Sequence, residues 1–217
     1  MRTLSEPPVS GLFRDGIAAR NPAWVQLLGL CPLLAVSTSV VNALALALAS
    51  GGVLLGANIS VSLLRRWIPD FVRLPAFVLI IATFTTCAVL LLEAYAFDLY
   101  LRIALFVQII VTNCMILGRV ESFASHTSPG RAGADALGTA GGFALALLAM
   151  GAARELMGRG TLFANMDLLF GPSAATWQLT LPGDPGGLLI ALLPPGAFIL
   201  AGLLLGTGRA LTNKGQP

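Results

Sequence analysis

Charge is scarce in this chain. Asp, Glu, Lys and Arg make up 11% of its 217 residues, against about 25% in a soluble domain. One histidine and three cysteines are present, and no two cysteines stand in a CxxC. That excludes a closed structural zinc site and a ferredoxin-type cluster run held by this chain alone. The odd count and wide spacing also argue against a disulfide scaffold. No GxxxxGK[ST], HExxH or GxSxG motif occurs, so P-loop nucleotide hydrolysis, zincin proteolysis and serine-hydrolase chemistry have no support. Arg2, Glu6, Arg14, Asp15 and Arg20 interrupt the first 20 residues, which therefore hold no apolar signal core. What remains is hydrophobic: 56% of the residues are apolar. The chain reads as an integral membrane protein, and its net charge of +3 is no nucleic-acid footprint.

Six apolar segments stand out, at 22–36, 40–64, 74–92, 101–118, 137–153 and 188–205. The second, third, fifth and sixth are long enough to read as full spans, at about 20 residues each. The first and fourth are short. With the N-terminus inside, ten of the thirteen basic residues fall in cytoplasmic segments, and only Arg102, Arg154 and Arg159 fall opposite. This bias predicts both termini in the cytoplasm, provided that the short segments carry the chain across. Residues 11–20 mix Leu12, Phe13 and Ile17 with charges and predict a short interfacial helix. The Gly- and Pro-rich stretch 154–187 predicts a surface segment anchored by Trp177. The expected layout is a cytoplasmic N-terminal segment over 1–21, a transmembrane domain over 22–206 and a cytoplasmic tail over 207–217.

Each short segment carries one cysteine, Cys31 and Cys114, 83 residues apart. Val25-Gln26-Leu27-Leu28 precedes the first and Val107-Gln108-Ile109-Ile110 the second, with one residue of slippage. Polar residues and two longer spans follow in both cases. The fold class expected is all-α, with six transmembrane helices arranged as two three-helix repeats over about 22–92 and 101–206. An odd number of crossings per repeat requires the halves to be inverted. The first helix of each would then be short or broken at its cysteine, and the two would enter from opposite faces and meet near the midplane. Pro32 is expected to break the helix just after Cys31.

Thiolates at that depth suggest a metal or redox centre, since a metal offsets the cost of their charge. The other reading is that both are small buried hydrophobes. If a cluster is present, four thiolates are needed and this chain offers two. The rest must come from a second copy or a related protein of opposite topology. Cys87, in mid-span, reads as core packing, and His126 is assigned no role. Asn42, Asn58, Ser60 and Ser62 read as interhelical hydrogen-bonding groups, and Gly51-Gly52 and Gly141-Gly142 as sites of close helix approach. Glu93, Asp98 and Glu121, close to span ends, read as snorkelling surface charges, with membership of an ion path as the alternative. A secondary transporter with inverted repeats is the competing class.

The runs NPAWVQLLGLCPLLAVS (21–37), SLLRRWIP (62–69), VTNC (111–114), GTLF (160–163) and LPPGAF (193–198) closely resemble the Rnf/Nqr family of membrane subunits, in particular its E-type members. The resemblance spans nearly the whole chain apart from the termini. It implies an integral subunit of an ion-translocating ferredoxin:NAD oxidoreductase (the Rnf complex) in the bacterial inner membrane, some of which support nitrogen fixation. The alternative within the family is the sodium-pumping NADH:quinone reductase. It further implies a [2Fe–2S] cluster shared with the A-type subunit, of opposite topology, with Cys31 and Cys114 as this chain's iron ligands. The B-, C-, D- and G-type subunits complete the implied assembly, and electron flow is implied to be coupled to Na+ or H+ movement. The chain lacks an SGAT-type flavin attachment motif and CxxC-rich ferredoxin motifs, so no flavin, NAD site or catalytic residue is assigned to it.

Overall fold

In the computed structural model, the described residues are 9–17, 21–95, 97–164, 166, 179–180 and 192–213. They are almost entirely helical: α1 (Val9–Ile17), α2 (Leu30–Val36), α3 (Val40–Leu64), α4 (Arg73–Tyr95), α5 (Phe97–Gln108), α6 (Cys114–Arg119), α7 (Pro129–Arg159) and α8 (Pro194–Asn213). A 3₁₀ turn over Asp70–Val72 leads into α4. Another over Ile109–Thr112 joins α5 to α6, and a π-helical turn over Val120–Ala124 follows α6. A two-residue antiparallel pair, β1 (Thr161–Leu162) with β2 (Leu179–Thr180), lies in the stretch expected at the surface. Trp177 and most of that stretch lie outside the described residues.

Four stretches are long and apolar enough to cross a membrane: Val40–Leu64, Asp70–Tyr95, Phe106–Ala124 and Pro129–Arg159. The sixth segment begins outside the described residues; its helix α8 runs over 20 residues, Pro194–Asn213, and an apolar stretch of it is seen over Pro194–Thr207. The fifth is longer than its apolar core. α7 has 31 residues, about 46 Å at 1.5 Å per residue. Ser128 precedes Pro129 at its first turn, and Gly160 closes it with φ 63° and a backbone bond to the Leu156 carbonyl. Proline at the start and a left-handed glycine at the end match the opposite needs of the two helix termini.

α3 and α7 form the centre and run antiparallel. Gly151 lies opposite Ala43, Gly51 opposite Ala140 and Gly133 opposite Ile59. Small residues let the two backbones approach, as packing between helices in lipid requires. Asn58 Nδ2 donates to the Ala132 carbonyl and Ser62 Oγ to the Thr127 carbonyl, tying α3 to the segment that opens α7. Asn42 instead donates to Thr38 within its own segment. α4 is peripheral, burying only Phe77, Ile81 and Thr85. A short helix forms where one was expected, as α1, and it packs against α7 around Gly138–Gly142. A Cβ on Gly142 would fall 2.5 Å from the Gly16 carbonyl oxygen, so α1 sits on a groove that only glycine leaves open.

Candidate functional site

The stretch leading to Cys31 is not helical. Asn21 organises it: its side-chain oxygen accepts the Ala23 and Trp24 N–H groups, while its amide nitrogen donates to the Ile17 and Gly142 carbonyls, 3.0 Å each. Buried on all sides, Asn21 fixes this stretch to α1 and α7 at once. Leu27 (φ 56°) and Gly29 (φ 77°) then reverse the chain through left-handed backbone. Cys31 is the second residue of the helix that follows. The break therefore precedes the cysteine. This corrects the expectation for Pro32, which sits in the first turn of α2, where its missing N–H costs nothing.

The second break is built differently. Ile109, Ile110, Val111 and Thr112 are all β-branched and hold a helix weakly. They form a 3₁₀ turn and Asn113 becomes extended (ψ 113°), its side-chain oxygen accepting the Met115 N–H at 3.0 Å. Cys114 is the first residue of α6. Asn113 is buried, and among the described residues its side-chain nitrogen has no partner.

The two breaks touch. The Gly29 N–H donates to Cys114 Sγ at 3.1 Å, from a position two residues before Cys31. Both thiols are exposed, so neither serves as a small buried hydrophobe. Cys87 is exposed as well, on the outer face of α4. That corrects its assignment to core packing: α4 is apolar on every side, so its sequence carries no mark of which face turns inward. Glu93, Asp98 and Glu121 are exposed, as expected of span-end charges.

From this meeting point α2 and α6 diverge. At the far end of α6, Arg119 forms a bidentate ion pair with Asp135 of α7, with Nε to Oδ2 at 3.0 Å. At the far end of α2, the Leu34 carbonyl and Ser37 hydroxyl accept from Arg154 Nη1 at 2.9 and 3.3 Å. Asp135 and Arg154 are 19 residues apart on α7, about 28 Å along its axis. The helices bearing the two cysteines begin together and are tied to opposite ends of one long helix.

Two groups in this scaffold escape the sequence reading. Arg154, expected as a loop charge, is 1% exposed, and its Nη2 also donates to the Leu192 carbonyl at 2.6 Å, ahead of α8. Glu155 is fully buried and accepts the Val40 N–H at 2.8 Å and the Ala164 N–H at 2.7 Å. Val40 opens α3, so its N–H lacks a helical acceptor and Glu155 supplies one. A signal for both exists in the sequence: an Arg-Glu pair within the last turns of an apolar helix marks buried polar function rather than a loop.

A family model described as "Rnf-Nqr subunit, membrane protein" matches residues 9–205. The chain belongs to the Rnf–Nqr membrane subunit family. A relative from Pseudomonas paraeruginosa, named as the E subunit of an ion-translocating oxidoreductase complex, is 52% identical over 97% of this chain and 87% of the relative. Proteins of the same name from Cellvibrio japonicus and Aliivibrio fischeri are 51% and 49% identical over 93% and 94% of this chain, covering 85% and 89% of those proteins. For this member of the Rnf–Nqr family, two exposed thiols at touching breaks are a donor set that fits half of a four-thiolate cluster. Among the described residues no group of three or more His, Cys, Asp or Glu side chains gathers to hold a metal.

Gly29 is indispensable to this arrangement for two independent reasons. A side chain in left-handed backbone costs about 1–2 kcal/mol, and a Cβ here would lie 2.8 Å from Phe143 Cε2, an overlap worth about 1–3 kcal/mol. Gly29→Ala is expected to lower stability by about 2–5 kcal/mol, the sum of both. Adding Phe143→Leu should recover only the steric part in an unfolding measurement. Full recovery would show that the backbone conformation carries no strain.

Proposed function

We propose that this chain is the E-type subunit of a Rnf-type ion-translocating ferredoxin:NAD oxidoreductase, and that Cys31 and Cys114 supply half the ligands of a [2Fe–2S] cluster. The other two thiolates come from an A-type partner of opposite topology, and B-, C-, D- and G-type subunits complete the assembly. The observation that carries the reading is the Gly29 N–H to Cys114 Sγ bond, which joins the two cysteine-bearing breaks while both thiols stay exposed for a partner. Inverted three-helix repeats with six crossings are supported by the element order: a broken segment, a long helix and a third helix occur twice. Antiparallel α3 and α7 are the corresponding members.

Held by Cys31 and Cys114, such a cluster would supply one-electron chemistry, and a position partway through a hydrocarbon layer of about 30 Å would shorten each transfer. The chain's own residues prepare that position. The Gly29 N–H draws charge from the Cys114 sulfur, a hydrogen bond of the kind that tunes cluster potentials. Asn21 and Asn113 fix the two breaks, and Arg119 and Arg154 anchor the helices behind them. Coupling to Na+ or H+ movement would act through α2 and α6, the segments that flank the thiols. In the bacterial inner membrane both termini are cytoplasmic. In support, Arg65, Arg66 and Arg73 line one cavity with His126, as a shared cytoplasmic face requires.

The test is the iron content and electron paramagnetic resonance of the co-purified pair of E-type and A-type chains. About two irons per heterodimer and a cluster signal on reduction are expected, from the four-thiolate ligand count. An intact, iron-free pair would overturn the reading.

A further inference from the structure

Three of the four membrane-length stretches end at one place. α3 finishes at Leu64, the stretch Asp70–Tyr95 begins after a short turn, and Phe106–Ala124 ends just before Ser125. Between these ends lies a cavity of about 330 Å³ whose walls include Arg65, Arg66, Arg73, Ser125 and His126. Its charge is not balanced from within. Asp70 meets Arg73 at 3.2 Å but is itself 94% exposed, and among the described residues neither Arg65 nor Arg66 has an ion-pair partner. Ser125 and His126, hydrogen-bonded to each other at 2.7 Å, complete its polar lining.

The chain that carries these lining residues is otherwise apolar and exposed. Between and beside them in sequence, Trp67 is 88% and Phe71 96% exposed, and Leu63, Leu64 and Leu74 are exposed as well. A tryptophan and a phenylalanine at the ends of membrane helices sit at the headgroup level, and basic pockets between such helices receive anionic lipid heads. A soluble anion needs the arginines and has no use for the exposed aromatics beside them in the chain. A phospholipid uses both. We propose that this cavity binds the phosphate of an anionic glycerophospholipid, with Arg65 and Arg66 as its principal ligands and Trp67 and Phe71 against the glycerol and upper acyl region. The site is independent of the cysteines and of the redox reading.

The experiment uses the intact detergent-purified complex, with phosphatidylglycerol and phosphatidylcholine of matched chains as probes in native mass spectrometry. Arg65→Gln/Arg66→Gln should weaken phosphatidylglycerol binding roughly 30-fold, at about fivefold for each basic residue near the surface. Phosphatidylcholine binding should not change, and Arg65→Lys/Arg66→Lys should retain most of the preference. Equal binding of the two lipids, or a preference untouched by the double Gln variant, overturns the site. Displacement of the lipid by millimolar inorganic phosphate would assign the cavity to a free anion instead. A Gln variant that keeps its lipid but sheds a soluble component of the complex would assign the patch to a protein interface.

Discussion

Cys114→Ser in the assembled complex is expected to abolish or strongly alter the iron–sulfur signal and reduce electron passage across the membrane toward background while leaving the fold intact. Serine is the informative substitution. Its hydroxyl still accepts the Gly29 N–H, which in the native chain goes to Cys114 Sγ at 3.1 Å, so the contact between the two breaks survives. A serine hydroxyl is a far poorer ligand for cluster iron than a thiolate, so iron should be lost or its signal strongly altered. Cys31→Ser should behave alike, since Cys31 is exposed and lies within two residues of the same contact. Cys87→Ser is the control: also exposed, but on the outer face of α4, it should leave iron content unchanged. The readouts are iron per complex, the paramagnetic signal of the reduced state and electron transfer in sealed vesicles. Loss of iron from the Cys87 variant alone would move the centre to another face of the protein. Unaltered iron and an unaltered signal in both other variants would remove the cluster from this chain.

The parts of this site legible in the sequence are those that depend on breaks in a hydrophobic run. Two apolar segments that read as short, each with a cysteine, mark where the helices fail, and the structure interrupts both at those points, although the second lies in a stretch, Phe106–Ala124, long enough to cross. The agent of the first break is not the conspicuous one. Proline draws the eye, but Leu27 and Gly29, in left-handed backbone, turn the chain. Which face of a helix points inward is not legible at all. In lipid both faces are apolar, so hydrophobicity no longer separates core from surface, and on the uniformly apolar α4 nothing marks Cys87 as outward. Reading charges near span ends as loop residues works for Glu93 and Glu121, which are exposed. It fails for Arg154 and Glu155, where α7 runs beyond its apolar stretch and carries them inside.

Those two residues give the other large expected effect. Glu155 is fully buried and accepts two backbone N–H groups, from Val40 at the start of α3 and from Ala164 beyond α7. Hydrogen bonds to a charged group contribute about 1.5–3 kcal/mol each, so Glu155→Leu should cost about 3–6 kcal/mol. Typical total stability is only about 5–15 kcal/mol. The variant is expected to accumulate poorly and, where recovered, to show a much lower melting midpoint. Glu155→Gln keeps one good acceptor and should lose about half as much. Arg154→Leu leaves the Leu34 and Leu192 carbonyls without their donor and frees the far end of α2. Its distinguishing effect is on the site. With α2 untied from α7, Cys31 loses its fixed position while Cys114, held through Arg119 and Asp135, does not. The Arg154 variant should therefore show a broadened or shifted paramagnetic signal even at temperatures where the complex stays assembled. Arg154→Lys should restore part of it, because an ammonium can still reach one of the two carbonyls but not span both. If Glu155→Leu melted within about 0.5 kcal/mol of the native chain, the range of an ordinary surface change, the clamp would be a bystander and the breaks would have to be held by Asn21 and Asn113 alone.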